Sequence, residues 1–226
     1  MLPLTHTTWL SLQLACVTTL LLLPLSLGLG RWLAVTAWRG RAVLEALVML
    51  PLVLPPTVLG YYLLVGLGRQ SWPGQLFEGL TGQTLVFSFE GLVLASWIFN
   101  LPFAIQPAQR AFAAIPTALR EAAWTAGLSP WRTFVHLELP LAWPGVLTAM
   151  VLTFAHTLGE FGVVLMVGGN IPGETQTLAI AIYDRVQAFD FGTANQLALG
   201  LLLFAFVSLL GIYALAQYQQ RWLVRE

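Results

Sequence analysis

The sequence predicts an all-α integral membrane protein with five transmembrane helices. The first observation behind this prediction is composition: 58% of the 226 residues are hydrophobic and only 9% are charged. A water-soluble domain carries roughly 25% charged residues, so most of the surface of this chain faces something other than water. The second observation is that the apolar residues form long uninterrupted runs, which is the pattern of helices that cross a bilayer.

Five such runs are long enough to cross a membrane, because ~30 Å of hydrocarbon takes about 20 helical residues. Four of them contain no charged residue, and the fifth, 139–159, contains His156 as its one ionisable side chain. We expect a single domain over residues 1–226. The predicted spans cover about 9–30, 44–67, 88–108, 140–167 and 195–217, and residues 109–139 form the loop between the third and fourth spans.

The second run contains a proline cluster that a continuous helix does not accommodate. Pro51, Pro55 and Pro56 fall within six positions, and each proline removes a backbone donor and clashes with the preceding turn. The helix is therefore expected to bend where it faces protein or a water-lined path. Two interpretations stay open: a kink that serves packing alone, and a pathway-lining hinge that includes Pro55, Pro56, Thr57 and Tyr61.

The arginines predict the orientation of the chain in the membrane. There is no lysine, and with five spans eight of the ten arginines fall on one side. These eight are Arg31, Arg39, Arg41, Arg110, Arg120, Arg132, Arg221 and Arg225. Because basic residues accumulate in cytoplasmic loops, the loop 109–139 and the C-terminus are predicted to be cytoplasmic and the N-terminus periplasmic.

A polar segment interrupts this apolar chain between residues 116 and 140, and its residues predict two short helices at an angle. Pro116 and Thr117 are expected to open the first helix, and Gly127 to close it in the left-handed conformation. Ser129 is expected to cap the second helix, with Pro130 at its first position. The small residues between them leave a slim helix face that fits a groove, although an ordinary amphipathic surface helix has similar features.

The same segment resembles the EAA loop of bacterial ABC importer permeases, which reads Glu-Ala-Ala, three residues, Gly, nine residues, a branched apolar residue, one residue, Leu-Pro. The matching residues are Glu121, Ala122, Ala123, Gly127, Leu139 and Pro140, with Leu137 where the family usually has Ile. The resemblance implies the type I ABC importer permease fold, in which residues 109–139 form a coupling loop that docks on a cytoplasmic ATPase. Arg120 and Glu121 are expected to make salt bridges at the rim of the ATPase cleft. Apolar contacts are expected from Leu128, Trp131 and Phe134.

A second resemblance indicates which branch of this family the chain is similar to. Residues 51–64, Pro-Leu-Val-Leu-Pro-Pro-Thr-Val-Leu-Gly-Tyr-Tyr-Leu-Leu, are similar to the second-helix signature of molybdate permeases. Residues 159–162, Gly-Glu-Phe-Gly, are shared among sulfate, molybdate and tungstate permeases. The resemblance implies a homodimer in the bacterial inner membrane that imports molybdate with two ATPases and a periplasmic molybdate-binding protein. Asn170 and Glu174 are expected to meet that binding protein, and sulfate or tungstate stays open as the cargo.

The predicted spans contain no lysine or arginine, so they offer no fixed cation to an anionic cargo. A buried cation would be costly in the bilayer and would hold a dianion too tightly for rapid passage. Hydroxyls, amides and helix N-termini are the expected substitutes, although each side chain also suits a bond to a helix backbone. The candidates are Thr57, Tyr61, Asn100, Thr153 and Thr157. Glu160, near the outer end of the fourth span, is expected to be a structural hydrogen-bond acceptor, or else an element of the outer gate or of the subunit interface.

No catalytic or metal site is expected in the chain. His156 and Glu160, one helical turn apart, supply only two ligands for a metal ion. The sequence lacks a Gly-x-x-x-x-Gly-Lys-Ser/Thr segment, so ATP and Mg²⁺ are expected on the partner ATPase, with no cofactor in this chain. A secondary transporter would predict inverted repeats, and a membrane enzyme would predict a nucleophile with its base. Neither feature is evident, and no basic tract predicts nucleic-acid binding.

Overall fold

The protein is described by a computed structural model that covers residues 2–223. Throughout this range the regular structure is helical, which confirms the predicted all-α fold. The helices are α1 (Leu2–Val35), α2 (Arg41–Val53), α3 (Pro56–Leu67), α4 (Trp72–Thr81), α5 (Phe89–Phe99), α6 (Leu101–Ala113), α7 (Thr117–Thr125), α8 (Pro130–Thr133), α9 (Leu139–Gly159), α10 (Gly162–Gly168), α11 (Leu178–Gln187) and α12 (Phe191–Leu223), with a π-helical turn at Phe134–Glu138. Arg225, used above to predict the orientation, lies outside the described residues.

Three helices in the described range are long and apolar enough to cross a membrane on their own. They are His6–Val35, Pro130–Gly159 and Phe191–Gly211. Two bent pairs, α2 with α3 and α5 with α6, raise the number of candidate spans to five if each pair counts as one. The five predicted spans fall on these five units, and the predicted fourth span also takes in α10.

The proline cluster bends the second unit by 109°. Pro51 lies inside α2 and is buried, α2 ends at Val53, and α3 begins at Pro56. A proline is tolerated at the first position of a helix because the N–H that it lacks would be unpaired there anyway. Pro55 precedes it in an extended conformation with φ −55° and ψ 133°. The predicted bend is therefore confirmed, and it lies at the second and third prolines.

Two further breaks lie at Asn100 and Glu160. Asn100 separates α5 from α6, where the chain bends by 42°, and Pro102 in the first turn of α6 is the local cause because it cannot continue the preceding helix. Glu160 follows α9 with an extended backbone at ψ 127°, and α10 begins two residues later. The break at Glu160 agrees with the glycines that flank it in the sequence, whereas the break at Asn100 was not predicted.

The buried apolar side chains form four clusters that fall into two groups divided at Asn100, because two clusters contain residues of α5 and two contain residues of α6. The first group joins α3, α5 and α10, and it includes Leu59 of α3 and Val163 of α10. The second group joins α6 and α9, as where Phe112 and Val146 share one cluster. Helix α1 contributes to both sides, because Leu14 packs with α5 and α10 while Leu33 packs with α2 and α6. Any displacement of α1 therefore reaches both parts of the core.

Glycines allow α3 and α10 to approach each other closely. A Cβ added at Gly60 would lie 2.7 Å from the Cβ of Met166 and 3.3 Å from the Cα of Val163. A Cβ added at Gly162 would lie 2.7 Å from the Cβ of Pro56. Small residues favour helix contacts in membranes, where apolar side chains gain little by leaving lipid. The two sequence segments that carry the second resemblance thus pack against one another.

Candidate coupling loop and membrane pathway

The coupling loop contains the two short helices that its sequence predicts. Helix α7 is followed by Gly127 with φ +85°, and a Cβ there would meet no atom within 4 Å, so the conformation rather than the space requires glycine. The hydroxyl of Ser129 accepts a backbone N–H of α8 at 3.3 Å, and Pro130 is the first residue of α8. Both helix ends are as predicted. Thr117, however, is the first residue of α7 and not its cap, because Pro116 occupies that position.

One face of the coupling loop is exposed and carries both small and large apolar side chains. Glu121, Ala122 and Gly127 are exposed, whereas Ala123 is buried and Leu128 is partly buried. The N–H of Leu128 donates to the carbonyl of Ala123 at 3.0 Å, which closes the end of α7. Two tryptophans extend this face: Trp131, one of the expected apolar contacts, is 70% exposed, and Trp124, which the sequence did not single out, is 50% exposed. Exposed apolar side chains beside polar ones are typical of a protein–protein interface.

Arg120 lies inside the loop and not at its rim, which corrects the expected position of this residue. Its Nε donates to Glu138 at 2.7 Å, and its two terminal nitrogens donate to the carbonyls of Ile115 at 3.2 Å and Phe112 at 2.7 Å. The residue is only 7% exposed. The charge of Arg120 is therefore used within the chain, where it holds α7 against the end of α6.

Glu138 is the residue at this site that the sequence analysis missed. Its side chain is fully buried at the end of the π-helical turn, and it pairs with Arg31 of α1 as well as with Arg120. The guanidinium of Arg31 also lies 5.3 Å from the ring centre of Phe134. The sequence feature that could have identified Glu138 is its position directly before Leu139, at the edge of an apolar span, where a charged side chain requires a partner. Leu139 is partly buried and Pro140 is exposed.

A second polar cluster joins the two breaks at Asn100 and Glu160. The amide nitrogen of Asn100 donates to the carbonyl of Ser96 at 2.8 Å and to the carboxylate of Glu160 at 3.4 Å. Its oxygen lies 3.0 Å from Nδ1 of His156, whose ring stacks on Phe103 with centres 3.9 Å apart. Asn100 thus stands between His156 and Glu160. Glu160 is buried and accepts a bond within the protein, which is the structural role considered for it above.

The other candidate pathway residues divide between exposed and buried positions. The exposed group consists of Pro55, Pro56, Thr57 and Tyr61 at the start of α3. Thr157 is buried, and its hydroxyl donates to the carbonyl of Thr153 in the same helix at 2.7 Å. For Thr157 the structure therefore shows the bond to its own helix that was the alternative explanation.

The outer loop residues Asn170 and Glu174 lie near each other in sequence but differ in their surroundings. Asn170 donates to Asp184 at 2.8 Å and accepts from Gln176 at 2.9 Å, so it organises its own loop. Glu174 is exposed and lines a polar cleft of about 580 Å³. The other polar residues of that cleft are His6, Gln13, Gln83, Thr84, Ser88 and Glu90. Both residues are exposed, and Asn170 is already hydrogen-bonded within its own loop.

Apolar helices with breaks, together with a polar two-helix loop that exposes an apolar face, define a membrane-embedded transport component. The comparison with known families agrees with this class. Residues 26–226 match the family model of the binding-protein-dependent transport system inner membrane component, and the chain belongs to that family.

Individual relatives share most of the length of the chain. It is 49% identical over 210 residues to the molybdenum transport system permease protein ModB of Azotobacter vinelandii, and the aligned region covers 93% of each chain. It is 42% identical over 189 residues to the putative molybdenum transport system permease protein YvgM of Bacillus subtilis, with 84% of this chain and 82% of that one covered. A probable sulfate transport system permease protein of Chlorella vulgaris is 37% identical over 175 residues, with 77% and 65% covered.

Solved structures confirm the type I importer permease fold. A bacterial ABC transporter involved in the import of the polysaccharide alginate matches with a TM-score of 0.74 at 16% identity, covering 97% of this chain and 79% of that one. An inward-facing MetNI methionine ABC transporter matches with a TM-score of 0.70 at 21% identity, covering 95% of this chain and 97% of that one. At these identities the likeness concerns the fold and not the cargo.

Proposed function

We propose that this chain is the permease subunit of an ATP-driven importer that carries molybdate from the periplasm to the cytoplasm. The observation that carries the proposal is the similarity to molybdenum transport permeases, which reaches 49% identity over 93% of both chains. The exposed face of the coupling loop gives that similarity a physical counterpart, because a subunit without an ATP-binding segment needs a surface on which an ATPase can dock.

In this proposal two copies of the chain form the pathway, and each presents its coupling loop to one ATPase that binds ATP and Mg²⁺. The loop lies in the cytoplasm, as the arginine distribution predicts, and the N-terminus lies in the periplasm. Glu121, Ala122 and Trp124 belong to the docking face, all of them exposed in the structure. ATP binding draws the two ATPases together, moves both loops, and turns the pathway outward to receive the anion.

The pathway itself offers polar groups without a fixed positive charge. Thr57 and Tyr61 lie on the exposed side of α3, immediately after the 109° bend, where a second copy of the chain would bring a matching pair. Hydroxyl donors bind an anion weakly enough to release it, so high affinity is left to a periplasmic molybdate-binding protein. Glu174 in the outer cleft is proposed as one of the residues that this protein meets.

Sulfate is the second candidate cargo, and the similarity to a probable sulfate permease of Chlorella vulgaris is the observation in its favour. That similarity is weaker, at 37% identity, and covers only 65% of the relative. Tungstate has the same charge and shape as molybdate and remains an alternative on chemical grounds alone.

The test is anion-dependent ATP hydrolysis in proteoliposomes that contain this chain with the ATPase and binding protein encoded beside it. Molybdate, tungstate and sulfate are compared for the wild type and for Gly127→Asp. Gly82→Asp is the matched control, since Gly82 also has a positive φ, of +72°, and a Cβ there would also meet no atom within 4 Å.

We expect molybdate to stimulate hydrolysis in the wild type and in Gly82→Asp, and stimulation to be lost in Gly127→Asp. Stimulation by sulfate alone would support an ATP-driven importer whose cargo is sulfate and not molybdate. Anion movement without the ATPase, or full stimulation in Gly127→Asp, would overturn the proposed coupling and favour a secondary transporter.

A further inference from the structure

Three helical elements meet at the carboxylate of Glu138. Arg31 reaches it from the end of α1, and Arg120 reaches it from α7 of the coupling loop. Glu138 itself ends the π-helical turn that leads into α9. The partners are far apart in the chain, with separations of 107 residues to Arg31 and 18 residues to Arg120. A single side chain thus connects the loop with two apolar helices.

The burial of this carboxylate makes the connection stiff. Glu138 is fully buried and both of its oxygens are used, one for each arginine. A buried carboxylate that loses one of its partners retains part of its charge unpaired, which is strongly unfavourable. Breaking either contact is therefore costly, and the three groups are expected to move together.

Arg120 extends the connection to a fourth element. Besides Glu138, it donates to the carbonyl of Phe112 in the last turn of α6 and to that of Ile115 just beyond this helix. Helix α7 therefore cannot shift relative to α6, the start of α9 or the end of α1 without breaking bonds of a charged, buried group. Since α1 packs in both groups of the core, a displacement at Arg31 also reaches α5 and α10.

We infer that Arg31 and Glu138 are positioning residues that transmit the displacement of the coupling loop to α1, a role that rests on the proposed function. Neither residue lies on the exposed docking face. Their part is to convert a movement of α7 into a movement of α1 at the moment when the ATPases close. Loss of the contact between Arg31 and Glu138 leaves docking intact and separates ATP hydrolysis from transport.

The test is the number of anions imported per ATP hydrolysed, measured for equal amounts of assembled complex in proteoliposomes. The variant is Arg31→Gln, which removes the contact with α1 while the bond between Arg120 and Glu138 remains. The matched control is Arg41→Gln. Arg41 also pairs with a glutamate, Glu45, at 2.8 Å, and its side chain is 38% exposed compared with 28% for Arg31, but this pair lies within α2.

We expect Arg31→Gln to retain stimulated hydrolysis and to import at least threefold fewer anions per ATP, while Arg41→Gln keeps the wild-type ratio. A purely structural ion pair would lower the amount of assembled complex and leave the ratio unchanged. A wild-type ratio in Arg31→Gln, or an equal fall in both variants, would overturn the inference.

Arg31→Lys keeps the test decisive if Arg31→Gln does not assemble. The ammonium restores the charge but not the planar geometry of the guanidinium, so we expect assembly with a ratio below that of the wild type. A wild-type ratio in Arg31→Lys would then assign a structural role only. Failure of the proposed function gives a different result, because the wild type itself would show no molybdate-stimulated hydrolysis.

Discussion

The close contact between α3 and α10 makes a quantitative prediction for Gly60→Ala. The added Cβ would lie 2.7 Å from the Cβ and 3.0 Å from the Cγ of Met166, and 3.3 Å from the Cα of Val163. Carbon atoms are in favourable contact at about 3.5–4.0 Å, so the new methyl group is roughly 1 Å too close to one neighbour. The nearest atoms are at or next to the backbone, and the helices must separate to relieve the contact.

Gly66→Ala in the same helix is the control for this contact. A Cβ at Gly66 would meet no atom within 4 Å. The gain in helix propensity is at most about 1 kcal/mol for either substitution, and it is smaller for Gly66, which lies in the last turn of α3. The overpacking cost of about 1–3 kcal/mol is therefore the main contribution to the difference in unfolding free energy between the two variants. Each kcal/mol corresponds to about 2–4 °C in Tm for a chain of this size.

The assay is thermal unfolding of the detergent-solubilised protein at one scan rate, followed by tryptophan fluorescence. We expect the apparent Tm of Gly60→Ala to lie below that of Gly66→Ala by at least 2 °C, in keeping with the lower end of that range. Equal melting temperatures would mean that α3 and α10 are not packed as described, and the reasoning about the two glycines would be refuted.

Three further predictions concern single hydrogen-bonding groups. Asn100→Leu leaves Glu160 and His156 without their shared partner, so we expect a loss of about 1–3 kcal/mol in unfolding free energy for each group left unpaired, measured by thermal unfolding; an unchanged Tm would contradict the described cluster. Ser129→Ala removes the cap of α8 and should cost about 0.5–2 kcal/mol, seen as faster protease cleavage of the coupling loop. Hydrogen bonds from Thr193 lower the pKa of Asp190, so its stabilising effect is present above the unfolded pKa and disappears as the pH falls through the lower folded value. The Tm penalty of Asp190→Ala should accordingly shrink as the pH falls below the unfolded pKa of 3.8, and a constant penalty would argue against an ionised Asp190 that accepts from the N–H of Thr193.

The features that the sequence predicted correctly depend on local chemistry. The bend at Pro55 and Pro56 follows from two missing donors within one turn, and the ends of α7 and α8 follow from Gly127 and Ser129. Each of these residues determines the conformation of the backbone around it. Apolar runs locate the membrane helices for the same reason, since the length of one segment is enough to identify a candidate span.

The features that the sequence did not predict depend on residues that are distant in the chain. Glu138 pairs with Arg31 across 107 residues, and Asn100 meets Glu160 across 60 residues. No local sequence pattern specifies which arginine will form an ion pair with a given carboxylate. The expected position of Arg120 at the rim of the loop was wrong for this reason, because its internal partner became evident only when α7 and the π-helical turn were placed together.

The contact of Gly60 with α10 and of Gly162 with α3 has a consequence for the construction of chimaeras. A segment taken from a relative with another cargo brings its own small and large residues to this contact. Helices α3 and α10 must therefore be exchanged as a pair, since a larger residue at either glycine position would meet the unmatched helix at less than 3 Å. In a chimaera that exchanges residues 51–64 alone, a loss of activity could result from poor packing against α10 and would not report on cargo preference. A chimaera that exchanges α3 and α10 together is the appropriate starting point.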